Sequence, residues 1–135
     1  MATFVKFQPF VDNCMEGIFT LGTDQLQVAL TTHANTPAIT DGVLGDLTEI
    51  AYTNLSTQEI VTISSTQTAG VYTLVLTDLV LTASGAVATF RHVVVFDQTA
   101  AADQLIAWFD YGSDVTLANG ETFTVDFGAS LFSLE

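Results

Sequence analysis

The sequence predicts an all-β fold: a β-sandwich, with a jelly roll as one topology it can take and at most one short N-terminal helix. Three observations predict it. Apolar residues recur at period two from Leu26 onward, as in strands with one buried face. Clusters of Asn, Asp, Gly and Pro punctuate those runs. The 135 residues suit one ordinary domain, so a single β domain is expected over 1–135, with 1–20 as an arm or a short helix. Roughly seven to nine strands are expected, and a closed barrel is the alternative.

At the N-terminus, Phe7, Phe10, Val11, Cys14, Met15 and Ile18 fall at helical spacing. They predict a helix near Phe7–Glu16 with Pro9 in its first turn, or else an extended arm. Leu26, Val28 and Leu30 alternate with Gln25, Gln27 and Ala29, which predicts a half-buried strand. Thr31–Gly45 holds Asn35, Pro37, Asp41 and Gly42 and reads as a long surface loop. Leu44–Tyr52 reads as a short strand or a helical turn, and Glu59–Gln67 as a strand. In Val71–Ala83, Tyr72, Leu74 and Leu76 share one parity while Leu79 and Leu81 take the other, so a bulge or sharp bend is expected at Thr77-Asp78.

Phe90–Phe96 and Leu105–Phe109 are nearly continuous apolar runs, joined by an expected exposed hairpin loop over Asp97–Gln104. Strands apolar on both sides need covering on both sides. Beyond them, a three-residue loop Ala118-Asn119-Gly120 would pair Val115 with Phe123 in a hairpin and put Phe123, Val125 and Phe127 on one face. Ala129–Leu134 reads as a last short strand.

Composition restricts function. Lys6 and Arg91 are the only strong bases against fifteen Asp and Glu, a net charge of −13. Such a chain is repelled by phosphate and by anionic bilayers, so neither nucleic acid nor membrane is expected as a partner. No run reaches the roughly 20 apolar residues of a membrane span, and no basic stretch precedes an apolar one at the start. Synthesis in the cytosol without an export signal is expected, which gives the Asn54-Leu55-Ser56 sequon little meaning. Cys14, the lone cysteine, reads as a small buried hydrophobe.

Catalytic signatures are missing from the sequence. His33 and His92 lack the spacing of a zinc site, and are read as a surface residue and a half-buried, hydrogen-bonded one. No Gly-x-Ser-x-Gly elbow and no phosphate loop occurs. Asp110 and Asp114 flank Tyr111-Gly112-Ser113, which as an acid pair would suggest glycosidase or calcium chemistry, but the full motifs are absent. The chain is therefore read as a non-enzyme without cofactor or metal.

The alternative to catalysis is assembly. Doubly apolar strands left half-uncovered would create an apolar patch larger than monomers usually show, so an oligomer contact or a scaffold is expected to cover them. Phe4, Phe7, Phe10, Phe90, Val94, Phe96 and Trp108 are the expected contact residues.

Several patterns resemble small structural proteins of tailed bacteriophages. They are Gly22-Thr23-Asp24 with the strand after it, Val43–Ile50, Tyr72–Gly85, Phe90–Phe96, Asp110-Tyr111-Gly112-Ser113 and Asn119–Phe123. The likeness spans roughly Phe4 to Phe132 and rests on strand and turn patterns; Thr32–Pro37, Cys14 and His92 depart from it. It implies a virion protein of the capsid decoration or cement type on the capsid exterior, made in the host cytoplasm. Its implied partner is the major capsid protein, with self-association as a trimer favoured and a dimer as the alternative. The competing expectation is a tail-fibre module that binds a receptor or carbohydrate through Tyr111, Asp110 and Asp114.

Overall fold

The computed structural model describes residues 2–135 and is all-β, with antiparallel sheets and one α-helix among those residues. Of the two forms expected of the N-terminal segment, helix or extended arm, the helix forms, and the residues before it pair with Leu105–Val115 as a sheet strand. Thr3–Lys6 is strand β1, and Gln8–Met15 is helix α1, with Pro9 in the first turn where its missing N–H costs nothing. Helix α1 ends in a Schellman turn. Gly17 takes φ +74°, and the Ile18 N–H reaches back to the Asn13 carbonyl at 3.0 Å.

Nine more strands follow: β2 (Leu26–Thr31), β3 (Glu59–Ile60), β4 (Thr62–Thr68), β5 (Val71–Leu76), β6 (Leu79–Thr82), β7 (Phe90–Asp97), β8 (Leu105–Val115), β9 (Thr122–Val125) and β10 (Phe132–Leu134). They form a five-stranded sheet β1-β8-β7-β2-β3, a three-stranded sheet β10-β5-β4 and a pair β6-β9, an all-β, sandwich-like arrangement. One apolar core draws side chains from all three.

Two expected strands each divide between sheets. The Glu59–Gln67 run pairs with β2 through β3, then crosses at Val61 to pair with β5 through β4. The parity change at Thr77-Asp78 is a bend of the same kind. Strand β5 stays with β4 and β10, whereas β6 joins β9. The Asp78 carboxylate holds the corner by accepting the Phe127 N–H at 3.0 Å.

The expected hairpin between Val115 and Phe123 does not form. Val115 pairs with Phe90, and Phe123 pairs with Leu81. Ala118–Glu121 is instead a tight turn. Gly120 is left-handed, the Glu121 N–H meets the Ala118 carbonyl at 3.0 Å, and the Glu121 carboxylate caps the Ala118 N–H at 2.6 Å. The facing is nonetheless as expected, since Val125 and Phe127 are buried and Thr124 and Asp126 exposed.

The second cover for the apolar strands comes from within the chain. Trp108 and Phe109 point to opposite sides of β8. Phe109 approaches Phe127 at 6.2 Å between ring centres, and Tyr111 approaches Phe123 at 4.9 Å. On the other side Trp108 packs on Phe7 at 4.5 Å. The long Thr32–Gln58 connection also lies against this sheet. Pro37 is buried, Thr36 Oγ1 lies 3.1 Å from His92 Nε2, and the Tyr52 hydroxyl accepts the Leu30 N–H along the edge of β2.

Candidate functional site

That internal cover corrects the expected contact set. Phe7, Phe10, Phe90, Val94, Phe96 and Trp108 are all buried in the protomer's own core, and only Phe4 keeps substantial exposure, at 39%. The sequence reading assumed that so short a chain could not supply a second layer. Helix α1 and the long connection supply it.

Exposed apolar surface collects elsewhere. Helix α1 turns Phe10 inward, 5.2 Å from Phe19 and 5.3 Å from Phe132 between ring centres. The next residues round the helix stay outside: Val11 is 48% and Met15 71% exposed, and Leu134 on β10 is 53% exposed. A shallow cavity of about 370 Å³ runs between Met15, Phe19, Tyr72 and Leu134. A smaller one of about 130 Å³ adds Lys6 and Val11. Half-buried Cys14 lines both, and burial pushes its thiol pKa up, against the weaker pull of Lys6, so the thiol stays protonated and poorly reactive. Strands β1 and β10 are edges of their sheets, so unpaired backbone groups border this face.

A second concavity, of about 420 Å³, lies between Phe4, Phe109, Tyr111, Asp126 and Leu131. Burial pushes the Tyr111 phenol up to about 12, helped by the charge of Asp126. The expected grouping of Tyr111 with Asp110 and Asp114 does not occur here, because neither acid lines the cleft. Asp110 instead binds Arg91 Nε at 2.9 Å and accepts the Gly112 N–H at 2.8 Å, and these bonds hold its carboxyl below the ordinary range. Asp114 is exposed.

The histidines lie 6.5 Å apart between ring centres, His33 exposed and His92 buried. His92 Nδ1 sits 3.8 Å from Asp110 Oδ1 without a hydrogen bond. Burial lowers the His92 pKa, Asp110 opposes that, and Arg91 and His33 add to it. No group of three or more His, Cys, Asp or Glu able to hold a metal occurs among the described residues.

The sequence reading missed the α1–β10 face, although a signal was present. The apolar positions of the N-terminal helix form a stripe wider than one docking surface uses, so part of it had to remain outside. Comparison of the chain with protein-family models, curated proteins and solved structures finds no match.

Proposed function

We propose that this chain is a bacteriophage virion structural protein of the capsid decoration type, which docks over contacts between major capsid proteins and stabilises the shell. The observation that carries this reading is the face of Val11, Met15 and Leu134, exposed apolar side chains on one helix and the neighbouring edge strand of a chain with net charge −13. Its flanking strand edges β1 and β10 suit the addition of a partner's extended segment. The likeness of the strand and turn patterns to phage structural proteins supplies the setting. The acidic surface would favour a scaffold with basic patches and disfavour non-specific contact between copies.

The reading is tested by mixing the protein with purified undecorated shells and measuring bound copies after sedimentation. Val11→Glu with Met15→Glu should reduce retention at least tenfold, since each large apolar side chain contributes roughly 1.5–3 kcal/mol when buried. Both positions are exposed, so the unfolding midpoint should hold. Undiminished occupancy by the double variant defeats the reading. Removing the first ten residues is no substitute, because it takes Phe7 and Phe10 out of the core. Light scattering on the free protein reports whether trimers or dimers form.

One observation favours a second reading, a tail-fibre or carbohydrate-binding module: the aromatic cleft with Phe4, Tyr111 and Asp126 on its walls. A glycan array with wild type and Tyr111→Ala separates the two. Trp108 is buried and does not line the cleft, so its fluorescence would report poorly on sugars.

A further inference from the structure

The turn entering β2 and the connection leaving β7 bring two acids together. Asp97 ends β7 opposite Leu26 and is fully buried. Its Oδ1 accepts the Thr99 and Ala100 N–H groups at 2.9 and 3.1 Å. Its Oδ2 has no donor among the described residues, and the bonds of Gln25 to Thr99 and Gln98 hold the neighbouring Asp24 beside this turn, where its carboxyl acts on that of Asp97. Asp24 is fixed in turn, its Oδ2 accepting the Thr20 N–H at 2.7 Å.

Two ionised carboxylates in this position would repel, with water excluded from one of them. A nearby cation would relieve the strain, but among the described residues none is placed to do so. Segments 20–27, 57–61 and 97–106 hold no Lys, Arg or His; their other acids are Glu59, exposed on β3, and Asp103. Arg91 and His92 lie five or six residues back along β7, about 17–20 Å away. Lys6 is two strands across, its side chain beside Val11 and Cys14. A divalent ion would find two side-chain ligands where calcium takes about six to eight oxygens.

We propose that Asp24 and Asp97 form a proton-binding site, a carboxyl–carboxylate pair that shares one proton and locks the adjoining ends of β2 and β7. The proton turns a repulsive contact into a short hydrogen bond. It also protects the stitches beside it, the Gln25 N–H to Thr99 Oγ1 at 2.8 Å and the Gln98 N–H to the Gln25 carbonyl at 2.9 Å. Burial raises the Asp97 pKa most, and Asp24 raises it further, to about 7. The folded chain therefore holds this proton more tightly than the unfolded chain. The stabilisation is complete below the ordinary Asp range and is lost as pH rises to neutrality. Buried His92 has the opposite dependence, losing stability as pH falls, so the contribution of the pair must be read against a variant that keeps His92.

The experiment is unfolding of the full chain between pH 5 and 8, wild type against Asp97→Asn. Asparagine keeps an oxygen for Thr99 and Ala100 and offers Asp24 an N–H in place of the proton. The ratio of wild-type to variant folding constants should fall by up to tenfold per pH unit towards neutrality, leaving the variant the more stable at pH 8. Carboxyl ¹³C NMR of the wild type should show one Asp titrating near neutrality. If Asp97→Asn does not fold, the same titration in Asp24→Asn decides, because the Asp97 midpoint should then move down. Parallel stability curves, or no Asp titrating above about pH 5, would overturn the proposal. So would 1 mM calcium chloride raising the wild-type midpoint at pH 8, since the occupant would then be a metal ion.

Discussion

At the scale of single residues, burial decides most outcomes. Trp108 fills the space between Val94, Val5 and Phe7 on one side of β8, within hydrogen-bonded pairs on both flanks. Trp108→Ala should cost about 3–5 kcal/mol in denaturant unfolding, whereas Met15→Ala on the exposed face should stay within about 0.5 kcal/mol. A Trp108 variant as stable as wild type would show that Phe7 and its neighbours can close the gap. His92 gives a pH signature of its own. Its pKa is depressed by burial, so the folded state binds fewer protons than the unfolded one below the ordinary His value of about 6.5. Stability from this residue is present above that value and is lost on acidification. His92→Gln should therefore flatten the acid side of the stability profile between pH 6.5 and 5. The pairing of Asp24 with Asp97 was not legible in the sequence: 73 positions separate the two residues, and only the β2–β7 ladder brings them together.

At the scale of elements, periodicity located strands well but said little about their neighbours. Strands β2, β7 and the start of β8 were legible because their apolar spacing is strong and their flanks carry turn residues, whereas the helix was one of two forms that the N-terminal spacing allowed. The change of parity at Thr77-Asp78 was legible too, since facing is a local property of alternate residues. Pairing is not local. Asn119-Gly120 has hairpin chemistry, yet β9 lies beside β6, where Phe123 meets Leu81 and approaches Phe90 at 5.3 Å between ring centres. The chain crossing at Val61 was invisible because Glu59–Gln67 is uniformly rich in β-formers, with no Gly or Pro to mark it. One prediction belongs here. Gly17→Ala should destabilise by about 1 kcal/mol through its left-handed backbone alone, because a Cβ would meet nothing within 4 Å. Denaturant midpoints check it. A neutral result would mean that the Schellman turn can rearrange and that α1 is held by Phe10 alone.

At the scale of the whole molecule, the period-two spacing made the fold class plain and the composition the net negative charge, but how much apolar strand the chain could cover was misjudged. Prediction of that cover fails from sequence because an irregular segment has no period. Thr32–Gln58 carries Pro37, Leu44, Leu47 and Ile50, too scattered to register as an element, yet they pack against the core. The net charge of −13 carries a further expectation: self-repulsion should ease with salt, raising the unfolding midpoint between 20 and 500 mM sodium chloride. A midpoint that falls over this range would show that attractive pairs such as Arg91–Asp110 outweigh the excess of acids. The chain's crossings at Val61 and Thr77-Asp78 have a mechanical consequence. One ties the five-stranded sheet to the three-stranded one and the other ties that sheet to the β6–β9 pair, so the three cannot peel apart like stacked plates, and a stretched molecule should give way in one rupture, not in successive steps.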